Sequence, residues 1–255
     1  MDWNHPKKLR ESIKGPLDFL YDFSNTDLVT DLKKSNPMKP LNFNTHAIEG
    51  LLELFREAET FVRENFPEDL EWSDEILHTD LKDITKEWFY AEYIHVVYCS
   101  GFSVRTVRMK QDAIREAYYD YDPVKVAANP EEARRKAMKK TAIRNKQKIM
   151  SIIKAAGIIN DLEWPEFLYK AKNNFDLFKT LPYIADKLKY HLARNVGFNV
   201  IKPDVHIERL ANHYGLDPFE MCDMLSEKTG LPRHTVDSII WRAAQQKVLY
   251  NQDKG

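Results

Sequence analysis

Residues 181–213 read LPYIADKLKYHLARNVGFNVIKPDVHIERLANH. Leu181-Pro182 opens a tight turn between two short helical segments. Such a turn points backbone amides outward at a helix N-terminus, which attracts anions. Lys187 falls on the first turn of the second segment, where the helix macrodipole disfavours a protonated amine. Burial lowers an amine pKa further, and a neutral lysine amine is a nucleophile. Asp204 follows Pro203 in the natural position of an N-cap, expected to face the same cleft. Without their surroundings, the two residues are more simply a surface lysine and a helix cap.

Outward from this stretch the chain reads as helices. Upstream, Ile48, Leu51, Leu52, Phe55, Ala58 and Val62 recur at three- and four-residue spacing from Thr45 on, which predicts an amphipathic helix. Residues 65–80 are acidic and turn-rich and read as a connection. A second helix is predicted over 81–98, with Ile84, Trp88, Phe89, Tyr93 and Val96 or Val97 inward. It breaks at Ser100-Gly101-Phe102, and Ser103 can cap a helix running to about Tyr119. Asp122-Pro123 opens a short helix. Asn129-Pro130 opens another, with Asn129 as cap. Gly157 is expected to end a helix carrying Ile149, Ile152, Ile153 and Ala156. Short helices follow to about Lys172 and over 175–179, and two more lie near 218–228 and 234–247. The first forty-odd residues show weak periodicity and read as an irregular arm. The count is about ten helices and no strand, so the predicted class is all-α.

Composition narrows the function. A chain of 255 residues with 43% apolar and 30% charged residues has the balance of a soluble globular protein with a sizeable core. Cys99 and Cys222 are the only cysteines, too few for a disulfide framework or a four-cysteine metal or iron–sulfur site. A reducing, intracellular compartment is the simplest reading. No apolar run is long enough to span a bilayer, so no membrane partner is expected. A net charge of −1 argues against nonspecific coating of nucleic acid but leaves room for a local basic face. Residues 134–148 are the most basic stretch and include Arg134, Arg135, Arg144, Lys146 and Lys148. They read either as a solvated helix face or as a surface that meets phosphates.

LPYIADK resembles the Leu-Pro-Gly-hydrophobic-Gly-x-Lys hairpin of the helix-hairpin-helix DNA glycosylases. VIKPDVHIERLAN resembles the segment that follows it in that superfamily. Phe89 to Tyr119, IRNKQKIMSIIKAAGII and VDSIIWRAAQQ are similar to further helices of the family, so the resemblance covers roughly residues 86–248. It implies a two-lobed helical fold over 86–255 with the hairpin near 175–196, and leaves residues 1–85 as an arm and helix packed on the core.

The resemblance also implies a chemistry. Lys187 falls where bifunctional members keep a Schiff-base lysine, and Asp204 on the family's catalytic aspartate. A modified base would be flipped into the cleft. Asp204 would stabilise the developing sugar cation. Lys187 would attack the sugar carbon and permit β-elimination. Tyr183, Ala185 and Asp186 of the hairpin, with Arg144 and Lys146, are the expected DNA contacts. Phe102 falls where a residue fills the gap left by the flipped base, although a core role fits it equally. His206 and Arg209 match motif positions and are assigned to helix packing or phosphate contact. Tyr118, Tyr119, Tyr121 and Trp241 are candidates for a base pocket or, more simply, core.

Tyr183 and Ala185 replace the family's two hairpin glycines, which weakens or reshapes the expected grip on DNA. The missing cysteines point to a branch without an iron–sulfur cluster. A monovalent cation at the hairpin is the remaining cofactor the resemblance suggests. The implied partner is duplex DNA carrying a modified base or abasic site, bound by a monomer in the cytoplasm or nucleoid, or the nucleus of a eukaryote. Two alternatives stay open: a non-catalytic sensor of damaged DNA, and a glycosylase-like enzyme acting on an unusual base in foreign DNA.

Overall fold

The computed structural model describes residues 45–249 apart from Thr141; the N-terminal arm lies outside the described residues. α1 is Thr45–Asn65, α2 Pro67–His78, α3 Lys86–Cys99, α4 Val104–Met109, α5 Gln111–Ala117, α6 Pro123–Ala128 and α7 Pro130–Ala137. Then come α8, Lys146–Asp161; α9, Glu166–Asn173; α10, Asp186–Asn195; α11, Val205–His213; α12, Pro218–Thr229; and α13, Arg233–Gln245. Short 3-10 turns occupy Leu81–Asp83, Tyr119–Tyr121 and Phe175–Thr180. No strand occurs among the described residues. The all-α class is therefore the observed one.

The helices enclose two apolar cores. The first is centred on α3, which is buried on every face: Trp88, Phe89, Tyr90, Tyr93, Ile94, Val96, Val97 and Tyr98 are all inside. Three tyrosines there keep their hydroxyls bonded, as buried polar groups must. Tyr90 donates to the Ile152 carbonyl at 3.0 Å, Tyr93 to the Pro182 carbonyl at 2.6 Å, and the Tyr98 and Tyr118 hydroxyls share a bond of 2.8 Å. The second core joins α1 to α11, α12 and α13 through Leu51, Phe55, Val62, Ile207, Leu225, Val236 and Ile240. The chain passes from the second core to the first along α2, whose Ile76 packs in the first, and returns between Val200 in the first core and Ile201 in the second. The candidate site lies just past this crossing.

Several local expectations change. Residues 67–78 form a helix where a connection is expected. Pro67 occupies its first turn, Glu68 and Asp69 complement the positive end of its dipole, and Ser73 and Ile76 are buried. The acidic character that suggested a loop is that of a helix N-terminus. Gly157 does not end α8, which continues to Asp161 because Ile159 on the next turn is buried; that burial offsets the roughly 1 kcal/mol cost of a helical glycine. The helix after Ser103 is capped as expected, Thr106 N donating to Ser103 Oγ at 3.1 Å, but breaks at Lys110. The predicted 81–98 helix begins only at Lys86, capped by Thr85. Asn129 precedes α7 without capping it, and its side-chain amide instead donates to the Lys125 carbonyl at 3.0 Å.

Candidate functional site

The hairpin is built from the 3-10 turn Phe175–Thr180, a tight turn and α10. Leu181 and Ile184 are buried and fix the turn to the first core, and the Tyr93 hydroxyl holds the Pro182 carbonyl from below. Lys179 and Asp186 brace the two arms at 2.6 Å. Tyr183 has φ 73°, the left-handed conformation that glycine adopts freely and an aromatic residue rarely does. Ala185 is extended, at φ −117° and ψ −172°, which any residue adopts. The two departures from the family's glycines are thus unequal: only Tyr183 carries backbone strain. The first-turn amides of α10 receive no side-chain cap.

Asp204 is the cap the sequence predicts. Its carboxylate accepts from His206 N at 2.9 Å and Ile207 N at 3.3 Å, opening α11. The other carboxylate oxygen pairs with Lys202 Nζ at 3.2 Å, and both side chains are only 20% exposed. Lys187 lies differently from its expectation. Its side chain is 68% exposed, so burial does not activate it, and its ammonium pairs with Glu208 on α11. The partner of Lys187 is therefore Glu208, and the partner of Asp204 is Lys202.

Behind this pair, charged groups bridge the two cores. Arg194, near the end of α10, donates to Ser238 Oγ at 2.6 Å and lies 3.3 Å from Asp237. Asp237 in turn accepts from the backbone amide of Lys202. Burial holds its carboxyl above the ordinary range, while Arg194 and Lys202 pull it back. Burial also keeps His191 well below the usual histidine range, helped by Lys202, His95 and Arg194. His206 is lowered by burial against the opposing pull of Asp204, so its position fits helix packing beside the site. Cys99, 3.3 Å from His95, is pushed up to about 12 by burial. Among the described residues no group of three or more His, Cys, Asp or Glu is placed to hold a metal ion.

The remaining candidates separate. Phe102 is half-buried and leans on the first core from the loop after α3. Tyr118 and Tyr121 are core residues, and Tyr118 is fully buried against Tyr98. Tyr119 lies beneath Lys136 at 4.3 Å. Trp241 stands at the crossing, 5.8 Å from Lys202 Nζ. Arg144 and Lys146 are exposed on either side of Asn145, which caps α8. Lys148 from the same basic run is inside the protein at 2% exposure. Its ammonium is held by the Val97 and Ser100 carbonyls, with the Tyr98 carbonyl at 3.4 Å.

Sequence reasoning missed Lys148, Lys202, Glu208, Arg194 and Asp237 as parts of the site. For Lys148 a signal existed: it shares the face of Ile152, Ala155 and Ile159 at helical spacing. For Lys202 and Glu208 no local pattern distinguishes them from surface charges.

Residues 84–181 match the family model for methyladenine glycosylase. This part of the chain is similar to that family, which belongs to the helix-hairpin-helix DNA glycosylase superfamily. That segment runs from the start of the first core, through α3 and α8, to the first residue of the hairpin turn. It covers less than half of the chain and stops before Lys187 and Asp204, so it supports the scaffold rather than the candidate pair. No curated protein and no solved structure matches the chain.

Proposed function

We propose that this chain is a DNA glycosylase that releases a modified base from duplex DNA, with alkylated adenine as the first substrate class to test. The observation that carries the reading is the glycosylase match over 84–181, which leads directly into the braced hairpin. In this reading the nucleotide is turned out of the stack toward the Asp204 carboxylate. Bond breaking between base and sugar leaves positive charge on the sugar ring, and the fixed carboxylate of Asp204 faces that charge. A lone unit charge about 4 Å away contributes about 4 kcal/mol at an effective dielectric of 20, roughly a thousandfold in rate, and the Lys202 ammonium paired with Asp204 makes this an upper bound. Water completes the hydrolysis.

The finer part of the reading is strand cleavage through an imine. Lys187, on the first turn of α10, is the amine the family resemblance assigns to that step. An ammonium has no free lone pair, so Lys187 must leave its ion pair with Glu208 and lose a proton before attack.

The test uses duplex oligonucleotides carrying alkylated, oxidised or deaminated bases, with released bases identified by mass spectrometry. Release from one substrate class, lost in Asp204→Asn, supports the glycosylase. Tight binding to an abasic analogue without release from any substrate would instead favour a damage-binding protein. Borohydride trapping on abasic DNA, lost in Lys187→Gln, supports the imine step; base release without trapping leaves a hydrolase alone.

A further inference from the structure

Two aromatic rings from separate segments converge on the ammonium of Lys148. The Tyr183 ring centroid, in the hairpin turn, is 4.9 Å from Nζ, and that of Phe102, in the loop after α3, is 5.4 Å away. The same ammonium gathers carbonyls at the C-terminus of α3, where the helix dipole is negative. Burial lowers the pKa of Lys148, and the carbonyls and rings compensate that cost as charge-assisted and cation–π contacts. One buried charge thus touches the end of the central helix, the 100–102 loop and the hairpin.

Tyr183 sharpens the point. A bulky residue at φ 73° is strained where glycine is not, and such strain persists only where the surrounding contacts hold it. Here the strained backbone sets the ring over Lys148.

We propose that Lys148 is a positioning residue that joins the hairpin and the Phe102 loop into one DNA-contacting unit, and that Tyr183 is held in its strained conformation for its ring. The inference rests on the proposed DNA-binding reading for its consequence but not for its geometry. When duplex DNA with an unpaired base is bound, both segments then engage it together rather than independently.

The first test is a pair of substitutions at one position. Tyr183→Gly is expected to raise the thermal unfolding midpoint, because strain is relieved, while weakening affinity for duplex containing an abasic analogue at least fivefold. Tyr183→Phe keeps the ring and is expected to bind as wild type. A merely structural tyrosine would not move stability and affinity in opposite directions. Glycine binding as tightly as tyrosine, or phenylalanine binding as weakly as glycine, overturns the proposal. The second test needs no DNA. Lys148→Met is expected to accelerate amide hydrogen exchange in both 100–103 and 183–185, and Lys148→Arg to restore protection in both. Faster exchange in the loop with an unchanged hairpin overturns the coupling. If wild type binds the abasic duplex no better than undamaged DNA, the glycosylase reading fails, and the exchange experiment still decides the coupling.

Discussion

Lys202 Nζ lies 3.2 Å from Asp204 Oδ2, two residues on, so the carboxylate that caps α11 is also one half of an ion pair. A single side chain thereby serves the fold through its hydrogen bonds and, under the proposed function, the site through its charge.

The two roles can be separated by substitution. Asparagine is as good an N-cap as aspartate but gives up the Lys202 ion pair, so Asp204→Asn is expected to cost no more than about 1 kcal/mol of stability. It should still cut base release by two to three orders of magnitude, roughly the loss of one charge facing the sugar. Asp204→Ala should add a stability loss of about 1 kcal/mol from the missing cap. Single-turnover excision and urea unfolding on the two variants check both halves.

Asp69 on α2 holds Arg242 on α13, with Nη2 to Oδ1 at 2.9 Å and a second bond from Nε to Oδ2. Arg242 is 3% exposed. Asp69→Ala leaves that guanidinium buried and unpaired, which costs about 3 kcal/mol. Urea unfolding should show the loss, and a double substitution with Arg242→Met should recover much of it.

Gly197 ends α10 at φ 90°, and a Cβ there would collide with the Ile76 carbonyl at the end of α2. Backbone cannot retreat as a side-chain tip can. Gly197→Ala is expected to cost about 3 kcal/mol from the left-handed backbone and the clash together, read as a lowered unfolding midpoint.

His234 sets a pH dependence. Its Nδ1 lies 2.7 Å from Ser73 Oγ and its Nε2 3.2 Å from the Arg194 carbonyl, an arrangement that suits neutral imidazole. Burial, then Arg194, hold it well below the usual range, as burial does His191. Below pH about 6.5 the unfolded chain therefore binds protons that the folded chain refuses. Stability is whole above that pH and falls as pH drops, by up to about 1.4 kcal/mol per unit for each histidine. Asp237, with its raised carboxyl, acts in the opposite sense toward lower pH. Urea midpoints from pH 7.5 to 5.5 should decline in wild type and decline less in His234→Gln.

What the sequence alone determined was local. The spacing of Leu51, Phe55, Ala58 and Val62 fixed α1, and Ser103 and Asp204 marked helix starts, because periodicity and capping depend on neighbours within one or two turns. LPYIADK located the hairpin through its resemblance to the hairpin of the helix-hairpin-helix glycosylases. The acidic run before α3 misled, since carboxylates suit both a loop and a helix N-terminus, and only burial of Ser73 and Ile76 against distant helices distinguishes them. Tertiary structure alone decided the electrostatic partners. Lys187 and Glu208 are 21 residues apart, Lys148 and Val97 are 51, and Asp69 and Arg242 are 173. Helical spacing puts Lys148 on the apolar face of its helix, but nothing local in the sequence names the groups that Lys148 or Lys187 meets. Coulombic pairing and desolvation depend on distance in space, and the packing of the two cores sets that distance.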